Sequence, residues 1–460
     1  MGRHSRGAAL TRGRRRVIAV VLASVVVAQV AAGVVVVRER RGPSVGAGVD
    51  AQRGPANSTA AASARRVALE ERAGAVRRLL DDRARAVLTR NRSLFLAGID
   101  PAASAFRLRQ GKVFDALAQV PVGSWVYELD ADRESPYIES FLGYYQAETW
   151  VPQVVLRYQL KGFDDQPTAA AHFFTFVRRG DVWRIGNDDD FPGVPNLATD
   201  RELWDFGPVE VVQNRRALVL GRRGRRPLLV QIARLVEAAE PRVTGVWGAD
   251  WARRVVVLVP ETQAELGTLI DEGNDLSQIA AVAVAQLGAG DGGPRTVGNR
   301  IIVNPPNFAR LSPLGRQVVL QHEITHVAAR DATGGASPTW LVEGFADYVG
   351  YLGSRVSTRS AARELRADVQ AGRGPTSLPG DEEFRGTSPR LAQSYEMSWL
   401  AARLIAERTS AADLVRFYRQ VGTAVGERDV VLRQAFRDVL ATTPESFTAA
   451  WVAYLRQQLG

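Results

Sequence analysis

His322-Glu323-Ile324-Thr325-His326 carries two of the chain's four histidines, spaced four apart around a glutamate. Residues four apart share one face of an α-helix, so both imidazoles can reach a single Zn²⁺. Glu323, one position round, can reach a metal-bound water, which makes these five residues a candidate hydrolytic centre. The flanking sequence predicts the helix that this spacing needs. Ser312-Pro313 offers a cap followed by proline at the first helical position. Leu314, Val318, Val319, Ile324 and Val327 recur at helical spacing, and Gly334-Gly335 ends the run. Just upstream, Arg300, Ile301, Ile302 and Val303 read as a short strand stopped by Pro305-Pro306. An exposed edge there would let a substrate pair its own backbone with the strand.

Catalytic zinc takes three protein ligands and keeps one position open. Glu343 is the candidate third ligand, 17 residues beyond His326 (343 minus 326), in Trp340-Leu341-Val342-Glu343-Gly344-Phe345-Ala346-Asp347-Tyr348. Ser337-Pro338 announces a second helix there. Asp347, one turn after Glu343 on the same face, is placed to accept the outer N–H of a ligating histidine. Asp331 is a rival for the third ligand. A metzincin arrangement fails, because Ala329 and Ala332 stand where its extra glycine and third histidine would fall.

These two segments together resemble the gluzincin metallopeptidases, in particular the branch of aminopeptidase N and the bacterial peptidase-MA-like proteins. The similarity continues through Ser394-Tyr395-Glu396-Met397-Ser398-Trp399-Leu400 and covers roughly the last half of the chain. It implies one Zn²⁺ held by His322, His326 and Glu343, Glu323 as general base, and Tyr395 as the donor to the oxyanion. The loop between the ligand helices is shorter than in the aminopeptidases. A glycine-rich exopeptidase motif is missing upstream, so a free amino terminus is not an expected requirement of the substrate.

Residues 17–37 form a run of 21 largely apolar residues without a charge, enough to span a bilayer. Arg12, Arg14, Arg15 and Arg16 precede it, which predicts a single-pass anchor with residues 1–16 cytoplasmic and the remainder outside a bacterial cell. The net charge of +10 is concentrated at this end. Residues 1–53 hold ten arginines against Glu39 and Asp50, making +8 and leaving +2 for everything else. The folded part is therefore near neutral, and nucleic acid is excluded as a partner. With no cysteine, disulfides, thiolate zinc sites and a cysteine nucleophile are excluded together.

Gly, Ala, Ser and Pro dominate residues 38–64, which read as a flexible tether. Over 65–200, an arginine-rich amphipathic helix precedes strands near 122–129, 153–161, 171–178 and 182–186. This order resembles the NTF2-like cone, and His172 within it reads as a core histidine. From 201 to 460 the pattern is that of a zincin-type domain, a small mixed sheet and then a helical lobe. The expected fold class is thus α+β behind a transmembrane helix. The expected function is extracytoplasmic hydrolysis of a peptide or protein substrate. Zinc with a carboxylate base also serves other acyl transfers, and a tethered binding protein can keep such a fold without turnover. Glu323 separates that last reading from the others, because a scaffold has no use for a base beside a metal.

Overall fold

A computed structural model of the chain describes residues 36–38, 57–134, 142–192, 194, 197–270, 279–290 and 293–460. Strand β1 (Val36–Arg38) precedes helices α1 (Asn57–Leu88), α2 (Arg92–Ala97) and α3 (Ser104–Leu117). Six strands follow: β2 (Val122–Glu134), β3 (Thr149–Trp150), β4 (Pro152–Leu160), β5 (Thr168–His172), β6 (Thr175–Arg179) and β7 (Val182–Asn187). They make two antiparallel three-stranded sheets, β2-β4-β5 and β3-β6-β7, against which α1 packs. The chain continues through β8 (Val209–Gln213), β9 (Ala217–Arg222), α4 (Arg226–Trp247), β10 (Val255–Val259), α5 (Gln263–Ile270), β11 (Ala281–Gly290) and β12 (Gly293–Val303). The helical lobe comprises α6 (Pro305–Arg310), α7 (Pro313–Ala329), α8 (Thr339–Gly350), α9 (Thr358–Ala361), α10 (Arg363–Gln370), α11 (Leu391–Arg408), α12 (Ala411–Thr423), α13 (Arg428–Leu440) and α14 (Pro444–Leu459). The class is α+β.

The central sheet runs β1-β11-β12-β10-β9-β8, and its strands β9 and β10 are buried on both faces. Successive side chains of a strand point to opposite faces. Val255, Val257 and Val259 of β10 accordingly join a core with α4, α7 and the helical lobe, while Val256 and Leu258 join the core of the amino-terminal module. Leu218, Leu220, Val282 and Ile302 face that module too. Double burial explains why β9 and β10 are unbroken apolar runs with no polar alternation. It also bears on the module's role. Fully burying one aliphatic side chain is worth roughly 1.5–3 kcal/mol, so uncovering these six would cost on the order of 10 kcal/mol. Residues 65–200 are therefore docked on the sheet. A buried ion pair adds to the join: Arg300 Nη1 and Nη2 lie 2.6 and 2.8 Å from the two oxygens of Asp164.

Several expectations need correction. Arg300, Ile301, Ile302 and Val303 do not form an exposed substrate edge, because β12 lies between β11 and β10 and these residues are buried. The strand beside α7 is β11, and β1 lies at the sheet edge, parallel to β11 over Val284–Gln286. The apolar run assigned to the anchor therefore ends in a strand, since Val36 and Val37 belong to β1; residues 17–35 lie outside the described residues. No helix among the described residues is long and apolar enough to cross a membrane. Helix α1 begins at Asn57, inside the expected tether, because Ala60-Ala61-Ala62 and Ala64 are strong helix formers whereas glycine is not. The rest of that tether is outside the described residues. Helix α4 runs on to Trp247 through Pro241, a residue that disfavours a helix interior. Tertiary burial of Val236, Val243 and Trp247 overrides the local cost.

Candidate metal centre

Helix α7 starts where the sequence places it, with Ser312 Oγ accepting from Gly315 N–H at 3.0 Å and Pro313 in the first turn. The helix α8 that carries Glu343 starts one residue later than its proline suggests. Pro338 is the cap residue, and Asp381 Oδ1 accepts the Thr339 N–H at 3.0 Å. Helix α11 packs along α8 and holds it against α7. At Gly344 the contact is backbone to backbone, and a Cβ there would collide with the Ser398 carbonyl. A glycine next to Glu343 is thus a condition for the ligand helix to sit at this depth.

This packing brings His322, His326 and Glu343 together, all buried. The two Nε2 atoms are 2.9 Å apart, and Glu343 Oε2 lies 3.3 Å from His322 Nε2 and 3.4 Å from His326 Nε2. A tetrahedral ion with bonds near 2.0–2.1 Å sets its ligand atoms roughly 3.3 Å apart, so the three atoms have the spacing of three corners around zinc. Glu343 Oε2 and Glu323 Oε2 are buried without a hydrogen-bond partner among the described residues. Such atoms are costly unless something else satisfies them. The donor set and its orphaned oxygen fit a metal ion.

Asp347 Oδ1 stands 2.8 Å from His322 Nδ1, the geometry that leaves the His322 Nε2 lone pair free for a metal. Burial opposes charge on His322, yet Asp347, Glu343 and Glu323 outweigh it and hold the imidazole well above its ordinary pKa. His326 shifts the other way, because burial dominates. Burial, with Glu343 adding to it, pushes Glu323 up to about 8, in the range of a proton acceptor that must also give its proton back. One Glu323 oxygen is held by the backbone N–H of Ala283 on β11.

Asp331, the rival ligand, is exposed in the turn after α7 and stands outside the group. Tyr395 lies buried on α11 with its ring edge-on to Phe384 at 5.3 Å. His172 is partly buried and stacks on Phe174 at 5.0 Å. Two residues near the centre escaped the sequence reading. Tyr418 of α12 donates or accepts at Thr333 Oγ1, 2.7 Å away, and is close enough for its charge to couple to Glu343 and Arg330. Arg330 is buried just past α7 and shares electrostatics with Glu323 and His326. Its position seven residues after Glu323, on the same helix face, is the signal that would have found it.

Neither a protein-family model nor a curated protein matches the chain. Among solved structures, the crystal structure of an M1 zinc metallopeptidase from Deinococcus radiodurans is similar with a TM-score of 0.29 and 16% identity. The match covers 62% of this chain and 59% of that one, so the chain spans less than two thirds of that protein's length. At that score neither fold nor activity follows from the likeness.

Proposed function

We propose that the chain is a zinc-dependent peptidase of gluzincin type, with His322, His326 and Glu343 as ligands and Glu323 as general base. The observation that carries this reading is the convergence of three buried ligand atoms within 3.4 Å of one another beside the unpartnered Glu323 Oε2. Bound zinc would supply a Lewis acid for the scissile carbonyl and lower the pKa of water toward neutrality. Glu323 takes the proton of the attacking water on Oε2 and returns it to the leaving amine, while the Ala283 N–H fixes its other oxygen. Asp347 keeps His322 in the tautomer a metal needs. Tyr395 donates a hydrogen bond to the developing oxyanion.

The chain on this reading is held at a bacterial membrane by its apolar run from residue 17, with the amino terminus cytoplasmic and the metal centre outside. The amino-terminal module is an NTF2-like cone that forms one wall of the substrate approach. The test is to incubate the purified full chain in detergent with a mixed peptide library, with and without chelator. Cleavage that chelator abolishes and Zn²⁺ restores is expected. Fully chelator-resistant cleavage, or none from zinc-loaded protein, would overturn the reading.

A further inference from the structure

A cavity of about 140 Å³ lies against the carboxy-terminal end of α7, lined there by Val327, Ala328 and Arg330. The amino-terminal module forms the opposite side with Asp165, and Trp251 and Arg254 complete it. Arg330 is 4% exposed. Its Nη2 donates to the Ala283 carbonyl at 3.0 Å, but Nε and Nη1 have no hydrogen-bond partner among the described residues. Arginine is seldom buried unpaired, and each buried donor left unsatisfied costs roughly 1–3 kcal/mol. The other charges in the lining are accounted for. Asp165 accepts from Arg254 at 2.8 Å, Asp164 is held by Arg300, and Asp331 is exposed at the rim.

One residue of β11 lies between Arg330 and the general base. Ala283 donates its N–H to Glu323 and accepts from Arg330 through its carbonyl, so one residue of β11 spans the two side chains. Seven helical residues separate Glu323 from Arg330, a rise of roughly 10 Å. An extended peptide advances roughly 3.3 Å per residue, and a glutamate side chain covers part of the remainder. Guanidinium is suited to carboxylate and, unlike ammonium, tolerates partial burial.

We infer that Arg330 binds a carboxylate side chain of the substrate one or two residues from the scissile bond, so that acidic peptides are the preferred class. This rests on the peptidase reading. The competing role is structural: Arg330 bracing β11 and complementing the helix carboxy terminus.

The test uses the full chain as Glu323→Gln and two sets of blocked, alanine-rich nonapeptides. Each set carries a single Glu or Gln scanned through the central positions, with binding read by titration calorimetry. At one register the Glu peptide should bind at least tenfold tighter than its Gln counterpart. Adding Arg330→Gln should erase that ratio, and Arg330→Lys should retain part of it. Equal binding of Glu and Gln peptides, or a ratio unchanged in Arg330→Gln, overturns the inference. Equal weakening of both sets by Arg330→Gln also overturns it, in favour of the brace. Should Arg330→Gln not fold, an unchanged ratio in Arg330→Lys is decisive against it. Parent protein that cleaves Glu and Gln peptides equally removes the acidic preference and leaves the peptidase reading. Selective binding by a parent that cleaves neither does the reverse.

Discussion

His322 Nδ1 lies 2.8 Å from Asp347 Oδ1, so the helix that carries Glu343 also orients His322. Glu343 and Asp347 are one turn apart on α8 and address the same imidazole from two sides, Glu343 at Nε2 and Asp347 at Nδ1. Burial raises the Asp347 pKa and His322 pulls it back, so each group is what makes the other's charge tolerable.

Zinc content should therefore respond in two tiers. Parent protein is expected to hold one Zn²⁺ per chain, and His322→Ala or Glu343→Ala should lose most of it by elemental analysis. Asp347→Ala keeps all three ligands and should cost roughly ten- to a hundredfold in metal affinity or activity. Full zinc occupancy in Glu343→Ala would remove it from the ligand set.

Chemistry should separate from metal binding at Glu323. Glu323→Gln leaves the ligands in place and nearly conserves shape, so zinc should remain while hydrolysis falls by roughly 10²–10⁴. Tyr395→Phe should keep zinc and slow turnover by roughly 10²–10³, with less effect on substrate binding. Should Glu323→Gln cleave at the parent rate, the proposed mechanism is refuted. An unaffected Tyr395→Phe returns that tyrosine to packing against Phe384 and leaves the rest intact.

The clustering of His322, His326 and Glu343 was legible because each of its parts is local. Four-residue spacing, the Ser312 cap and the Glu343–Asp347 turn are properties of single helices, and the structure folds them as read. The sheet was legible only in pieces. Gly288, Gly290, Gly293 and Gly298 obscure the length of the β11 and β12 arms, and strand order is not a property of any one segment, so β12 looked like an edge. Val36-Val37 is ambiguous by nature, since a β-branched run suits a bilayer or a buried strand equally. Arg330 was legible only through its seven-residue offset from Glu323, because its burial is a tertiary property that no local pattern reports.

Membrane attachment is read most directly on whole cells. Protease added to intact cells should remove the carboxy-terminal domain while a short arginine-rich fragment stays protected. A mature chain that begins near Gly33 and is recovered from the medium would show that the apolar run is a cleaved leader.

Gly344 should tolerate no side chain. A methyl group there meets the Ser398 carbonyl, and both helices are backbone-packed at that point. Overpacking of this kind typically costs 1–3 kcal/mol, and for a chain of this size that lowers Tm by roughly 1 °C per kcal/mol. Because Glu343 is the neighbouring residue, Gly344→Ala should also lower zinc affinity. Unchanged melting with full zinc would mean that α11 can move away freely, and the argument that its packing sets the depth of Glu343 would fail.

Stability should depend on pH through Asp205, in the turn that follows the amino-terminal module. Its carboxyl is enclosed by neighbouring atoms although the residue keeps some exposed surface, and burial drives its pKa from 3.8 up to about 7, against the Glu202 N–H and Arg201. The sign follows from proton counting: between those two values the folded chain binds more protons than the unfolded one, so this group's contribution to stability falls as pH rises. The penalty is absent below about 4 and complete above about 7. Asp205→Asn keeps an acceptor for the Glu202 N–H, 2.7 Å away in the parent, and carries no charge. Relative to parent, the variant should gain Tm steadily from pH 4.5 to 8, by about 2–5 °C at the top of the range. A parent–variant difference that stays flat over this range would mean that the carboxyl ionises normally, and that the Arg201 guanidinium compensates its burial in full.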